Sequence, residues 1–300
     1  MIDVLNILTQ NHALFLIMTG ILGLIVGSFI NVVIHRMPNT MLSEWRHEIS
    51  EFITADEQLN DATKNDIQRY YQPNPSPNSS ALRSHCPHCT SVIAWQHNIP
   101  VVSYLLLGGR CASCQAKISL SYPVTELLTA VLSILIVHHL GMSIQAGLAL
   151  IFLWYLIALS GIDYHTKLLP DRLLVPLGMV GLIANTQHVF TTPSLAIWGL
   201  VMGFVVFWGI NVLFKIVMGK DGMGLGDAKL LGVLGAWLGM FYLPMIVFIA
   251  ALLGVIAGII NKYRQDEEAF AFGPYLAMGG LFSLLYGEKI WSWYGMLALS

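Results

Sequence analysis

Apolar residues in this chain fall in long runs, separated by short polar joints. The first run extends from Ala13 to Ile34, about 22 residues, enough to cross roughly 30 Å of hydrocarbon as a helix. Later runs cover 123–140, 145–162, 173–190, 195–214, 230–243, 245–261 and 273–287. The pattern predicts an all-α polytopic membrane protein with about eight transmembrane helices. The sixth and eighth runs are short, about 14 residues, so six spans is the alternative. Between the first and second runs lies the one sizeable polar region, 36–122. Within it, 42–59 sets Trp45, Ile49, Phe52 and Ile53 at helical spacing among charges, which predicts an amphipathic surface helix. Residues 71–85 (YQPNPSPNSSALRSH) form a linker with too few apolar residues to pack. No repeat of fixed period is visible.

Composition strengthens this picture. The 300 residues are 56% hydrophobic and 11% charged, whereas soluble domains carry about 25% charged residues. A net charge of −2 gives no sign of nucleic-acid binding. The start, MIDVLNILTQ, lacks a basic segment, so no cleavable signal is expected.

Charge placement orients the spans. Seven of the fifteen Lys and Arg lie in 36–122. Lys167 and Arg172 mark a later joint, Lys215, Lys220 and Lys229 the next basic one, and Lys262 and Arg264 another; only Lys289 falls on the other side. Basic residues favour the cytoplasmic face. The sorting predicts that 36–122 is cytoplasmic and that both termini are extracytoplasmic.

The polar region holds all four cysteines: Cys86 and Cys89 in CPHC, then Cys111 and Cys114 in CASC. Two CxxC knuckles so spaced are the layout of a tetrahedral four-thiolate zinc site, with the intervening segment expected to fold back as a small hairpin. Two disulfides are disfavoured in a reducing compartment, and a redox CxxC needs only one pair. Four thiolates leave zinc no open position, so the site is structural. His85, His88 and His97 are nearby but not needed.

Two carboxylates sit at the ends of spans, where charge is costly and functional by default. Asp163 closes the third run, in LSGIDYHTKLLPD. Asp227 opens the sixth, in GMGLGDAKLL, beside Gly222, Gly224 and Gly226. Two close carboxylates supply an acid and a base for one water. Other readings stand beside this one. Asp227 fits a helix N-cap, Asp163 fits a pair with Lys167 or Arg172, and Asp171 competes with Asp163 or caps the fourth span. Glu126 is a third intramembrane acid.

Taken together, the motifs resemble the bacterial type IV prepilin leader peptidases, bifunctional peptidases and N-methyltransferases of the GxGD aspartyl class. The matching segments are GLIVGSFINVVIHRMP, CPHC, IPVVSYLLLGGRCASC, SYPVTELLTA, ALSGIDYHTKLLPD and GMGLGDAKLLGVLGAWLG. The resemblance implies that Asp163 and Asp227 are the catalytic pair, that Asp171 is not, and that the four cysteines hold the metal. It implies domains of 1–35 (first span), 36–122 (cytoplasmic loop with the zinc site) and 123–300 (transmembrane aspartyl peptidase core). It also implies removal of a short basic leader from type IV prepilins and type II secretion pseudopilins at the cytoplasmic face of the bacterial inner membrane. Methylation of the new N-terminal residue, usually phenylalanine, by S-adenosylmethionine would follow. No nucleotide-fold glycine fingerprint marks a donor site; Gly108 and Gly109 beside Cys111 are weak candidates, and a plain turn explains them as well. Two other classes remain open: a presenilin-like intramembrane aspartyl protease, and a non-enzymatic transport or assembly protein with a zinc module. Partners implied are prepilin-like substrates and membrane lipid, with no nucleic acid.

Overall fold

The computed structural model describes residues 11–55, 60, 66, 84–219, 224–264 and 271–298. Among these the chain is all helical, apart from isolated bridges in the cysteine region. Helix α1 is His12–Ala55, and a short α2 is Val102–Leu106. Then follow α3 (Ser121–Leu140), α4 (Ile144–Thr166), α5 (Asp171–Thr186), α6 (Pro193–Met218), α7 (Leu225–Leu238), α8 (Leu243–Arg264) and α9 (Gly273–Ala298). The apolar runs of the sequence fall largely on these helices, though 230–243 runs past the end of α7 and 173–190 past the end of α5. Five segments are long and apolar enough to cross a membrane: α1, α3, α4, α6 and Met240–Asn261. The chain is therefore a polytopic membrane protein.

Three expectations are corrected. The first run and the surface helix are one rod: α1 continues for 44 residues, about 66 Å at 1.5 Å per residue. It passes Pro38 without ending, and beyond it Asn39 and Thr40 turn their side chains onto the carbonyls of His35 and Arg36. The exposed stripe of Leu42, Trp45, Ile49 and Phe52 is therefore an extension of the first span. Residues 56–59 of the expected surface helix, and 71–83 of the linker, lie outside the described residues. Second, the sixth helix is 225–238, not 230–243. Asp227 and Lys229 fall inside its first turns, and Gly239, at φ +90°, ends it. Third, the segment between the cysteine pairs is not a hairpin. It holds a 3-10 turn (Trp95–Asn98) and α2.

The chain forms two compact units, Leu24–Leu127 and a second made of 1–23 with 128–300. In the larger unit, α7 is the hub. It has 14 residues, about 21 Å, and is buried almost all round, from Asp227 to Leu238 except at Lys229. A helix apolar on every side belongs in an interior. Its closest neighbour is α6, where Gly199 meets Gly235 and Gly203 meets Gly232 backbone to backbone. A Cβ on Gly203 would lie 2.7 Å from the Leu231 carbonyl oxygen, so only small residues allow this approach. At the far end, Trp237 is fully buried between Phe152 and Phe190 and donates to the Leu177 carbonyl at 2.8 Å. Asn185 on α5, also fully buried, donates to the carbonyls of Ala236 and Trp237 and accepts from the N–H groups of Phe190 and Thr191. Two of its bonds terminate α7 and two hold the joint between α5 and α6, which ties the far end of the helix to that joint.

Candidate active site and metal centre

Asp163 is in the last turn of α4, which Lys167 ends in the left-handed conformation. Asp227 is the third residue of α7, after Gly224 at the N-cap position. Both are buried, 4% and 8% exposed, and the two carboxyl groups are near enough for their charges to interact. Asp163 is held by a residue from a third helix. The N–H of Gly273, first in α9, donates to its Oδ2 at 2.9 Å. A Cβ at Gly273 would stand 2.7 Å from that oxygen, so the bond depends on glycine. Gly226 has a similar duty, since a Cβ there would meet Leu169 at 2.9 Å. Gly222 lies outside the described residues.

Other readings of these acids fare differently. The N-cap position of α7 is taken by Gly224, with Asp227 three residues further on. The Lys167 ammonium donates to the Tyr164 carbonyl and lies over the Tyr164 ring. The expectation that Asp171 caps a helix is corrected: Pro170 takes the cap position, without a side-chain bond, and Asp171 begins the helix. Both oxygens of Asp171 accept from Lys229 at 2.8 Å. The DYHTKLLPD and GLGDAK segments are thus joined twice, through Leu169 with Gly226 and through Asp171 with Lys229. Sequence reasoning missed Gly273 and Lys229. A donor that belongs to the backbone has no side-chain signature; the turn FGPY at the start of α9 was its only trace.

The smaller unit carries the cysteines. All four are free thiols, and their sulfurs lie within 4.8 Å of one another. Cys86 and Cys114 are 3.8 Å apart. Tetrahedral zinc with sulfurs at about 2.3 Å requires edges of about 3.8 Å, so this donor set can hold zinc. None of His85, His88 and His97 joins the cluster among the described residues. Hydrogen bonds from the Ser91 hydroxyl and backbone pull the Cys89 thiol down to about 6, towards the thiolate that metals bind. The backbone of Cys114 and Ser113 lowers Cys111 as well. At Cys114 a backbone bond from Ala116 acts in the same sense, but burial and the other three sulfurs outweigh it and push the thiol up to about 11.

The two knuckles are built alike. Cys86 N–H donates to the Ser91 carbonyl and Cys111 N–H to that of Ala116. Thr90 and Gln115 return bonds to the carbonyls of Cys86 and Cys111, both at positive φ. Ile93 to Ser84 and Ile118 to Gly109 close each turn at 2.8 Å. This two-fold repeat was hard to see in the sequence because beyond the cysteines only Ile93 and Ile118 match. Gly108 and Gly109 have a local reason to be glycine. Their N–H groups bond the carbonyls of Leu105 and Tyr104, both have positive φ, and together they close α2.

The fold and its sites are those of an all-helical membrane protein with two buried aspartates and a four-thiolate cluster. Residues 150–259 match the Type IV leader peptidase family, and 21–140 match the Bacterial Peptidase A24 N-terminal domain. The chain belongs to the type IV leader peptidase family. It is 42% identical to the prepilin leader peptidase/N-methyltransferase of Pseudomonas aeruginosa, over 95% of each chain. The proteins of the same name from Aeromonas hydrophila and Legionella pneumophila are 39% and 37% identical; the first match covers 94% of both chains, the second 97% of this chain and 98% of its relative. No solved structure matches the chain.

Proposed function

We propose that this protein removes the leader from prepilin-like substrates and then methylates the exposed amino group, as the names of its near full-length relatives describe. The observation that carries the peptidase half is the buried pair of Asp163 and Asp227, with Asp163 fixed by Gly273. One carboxylate, ionised, takes a proton from water, and the water oxygen attacks the scissile carbonyl carbon. The other, protonated, donates to the carbonyl oxygen. Collapse breaks the C–N bond and returns a proton to the leaving amine. Gly273 engages Oδ2 of Asp163 and so leaves Oδ1 for the proton chemistry.

Methyl transfer needs no paired acid. The free amine attacks the methyl carbon of S-adenosylmethionine, the S–CH3 bond breaks, an N–CH3 bond forms and the nitrogen sheds a proton. The four cysteines would hold a structural zinc that folds the 84–118 region and takes no part in either reaction. The basic residues support a bacterial inner-membrane arrangement with 36–122 cytoplasmic. A substrate whose helix lies in the bilayer then presents its leader junction to the aspartates. Type II pseudopilins are substrates of the same form.

The deciding experiment is incubation of the purified protein with a synthetic prepilin N-terminal peptide and S-adenosylmethionine, with masses recorded for all products. A shortened peptide 14 Da heavier than the bare mature form is expected. An intact peptide would remove the reading. Reporter fusions at residues 60 and 168 should both read as cytoplasmic; an external signal at either would overturn the arrangement.

A further inference from the structure

Three of the motif segments meet within the smaller unit, which holds neither Asp163 nor Asp227. Glu126 on α3 is buried, 8% exposed, and its Oε2 accepts the N–H of Val101 at 2.7 Å. The Ser28 hydroxyl of α1 bonds the same carboxylate. Beside it, the Asn31 side chain donates to the Tyr122 carbonyl at 3.0 Å, and His35 stacks on the Tyr122 ring. The three segments are GSFINVVIH, IPVV and SYPVTE.

Val101 is the unusual member. Its φ is +59° and ψ −46°, in the left-handed half of backbone space that a β-branched residue avoids. The N–H of Val102 bonds back to the Pro100 carbonyl at 2.5 Å, closing a γ-turn of the rare, strained hand. Such strain persists only where surrounding structure holds it, and it concentrates at functional sites. Here the holder is a buried carboxylate on the turn's central N–H. From this turn the chain runs through α2 and the Gly108–Gly109 closure directly into Cys111.

We propose that Glu126 is a positioning residue for methyl transfer: by fixing the strained turn at Val101 it sets the course of residues 99–110. The proposal rests on the reading that the chain carries both activities. The cleavage residues Asp163, Asp227 and Gly273 all belong to the larger unit. Glu126 and Val101 belong to the smaller one, within the stretch that matches the N-terminal domain.

The test uses the full chain with separate readouts. Cleavage is followed on a prepilin peptide, and methylation on an already mature peptide with S-adenosylmethionine. Hydrogen exchange is measured over 99–107. Glu126→Ala should cleave at the wild-type rate and methylate about tenfold more slowly or worse, the scale of one lost charge-assisted hydrogen bond. Exchange over 99–107 should quicken. Glu126→Gln keeps an oxygen for the Val101 N–H and should methylate within about threefold of wild type. Val101→Gly adopts positive φ without strain, so adding it to Glu126→Ala should recover methylation. Wild-type methylation by Glu126→Ala would overturn the proposal. So would Glu126→Gln failing as badly as alanine, equal loss of cleavage and methylation, or no recovery in the double variant. A wild-type protein that cleaves but never methylates would instead refute the proposed second activity.

Discussion

The backbone N–H of Gly273 donates to Oδ2 of Asp163 at 2.9 Å, joining residues 110 apart in sequence. On the proposed two-aspartate reading, this bond makes the third helix of the site a partner in positioning Asp163. A catalytic carboxylate must be held to a fraction of an ångström, and misplacement by about 1 Å costs up to about 100-fold. Gly273→Ala puts a Cβ 2.7 Å from the accepting oxygen. Cleavage kcat should fall about 10- to 100-fold, with methylation of a mature peptide unchanged. Wild-type kcat in this variant would show that the bond does not position Asp163.

Asp163→Asn and Asp227→Asn should each reduce cleavage to background, since the amide keeps the shape and loses the titration. The double variant should be no worse than either single one, because groups acting as a unit are non-additive. The wild-type pH profile should be bell-shaped, with two apparent constants that belong to the pair. A cleavage time course for the three variants reads this directly; robust turnover by either single variant would exclude a two-aspartate mechanism.

Asp171 and Lys229 offer a milder test. Their pair is bidentate, but its side chains are 58% and 35% exposed. Exposed pairs are worth up to about 1 kcal/mol. Asp171→Asn should therefore retain cleavage within about fivefold of wild type. Asp171→Lys should do more harm by setting like charges together, and Lys229→Asp should restore much of the loss. Abolition of cleavage by Asp171→Asn would move that residue into the catalytic machinery.

For the metal, elemental analysis should find one zinc per chain in the wild type and a large loss in Cys86→Ser. Chelators should leave initial cleavage rates intact and act only slowly, through unfolding of the cysteine region. Immediate inhibition of cleavage would argue for metal in the reaction itself.

Much of this was legible before any coordinates, for physical reasons. A bilayer demands long apolar runs, so the long helices announced themselves, whereas the short α2 did not and the start of α7 was misplaced; buried acids stand out in apolar sequence. The four cysteines declared their geometry through spacing alone. What escaped was of a different kind. Gly273 acts through an N–H that every residue but proline possesses. Lys229 was read as a topological marker, yet it neutralises Asp171. The first span and the surface helix were read as separate elements, yet α1 runs through Pro38 and joins them. The strain at Val101 depends on Glu126, 25 residues later, and no local pattern encodes it.

The repeated knuckle has a consequence for how the protein is made. Each copy contributes two sulfurs, half of a coordination shell, and the second follows the first by 25 residues. During synthesis the first copy must wait, uncoordinated, until Cys114 has left the ribosome. By then α1 has been released and α3, beginning at Ser121, is only seven residues behind. A metal centre built on both copies therefore cannot close before Cys114 emerges, seven residues ahead of α3. If the four thiolates hold zinc, as proposed, scarcity of zinc during growth would act first on newly made chains whose second knuckle has just emerged, before molecules already closed.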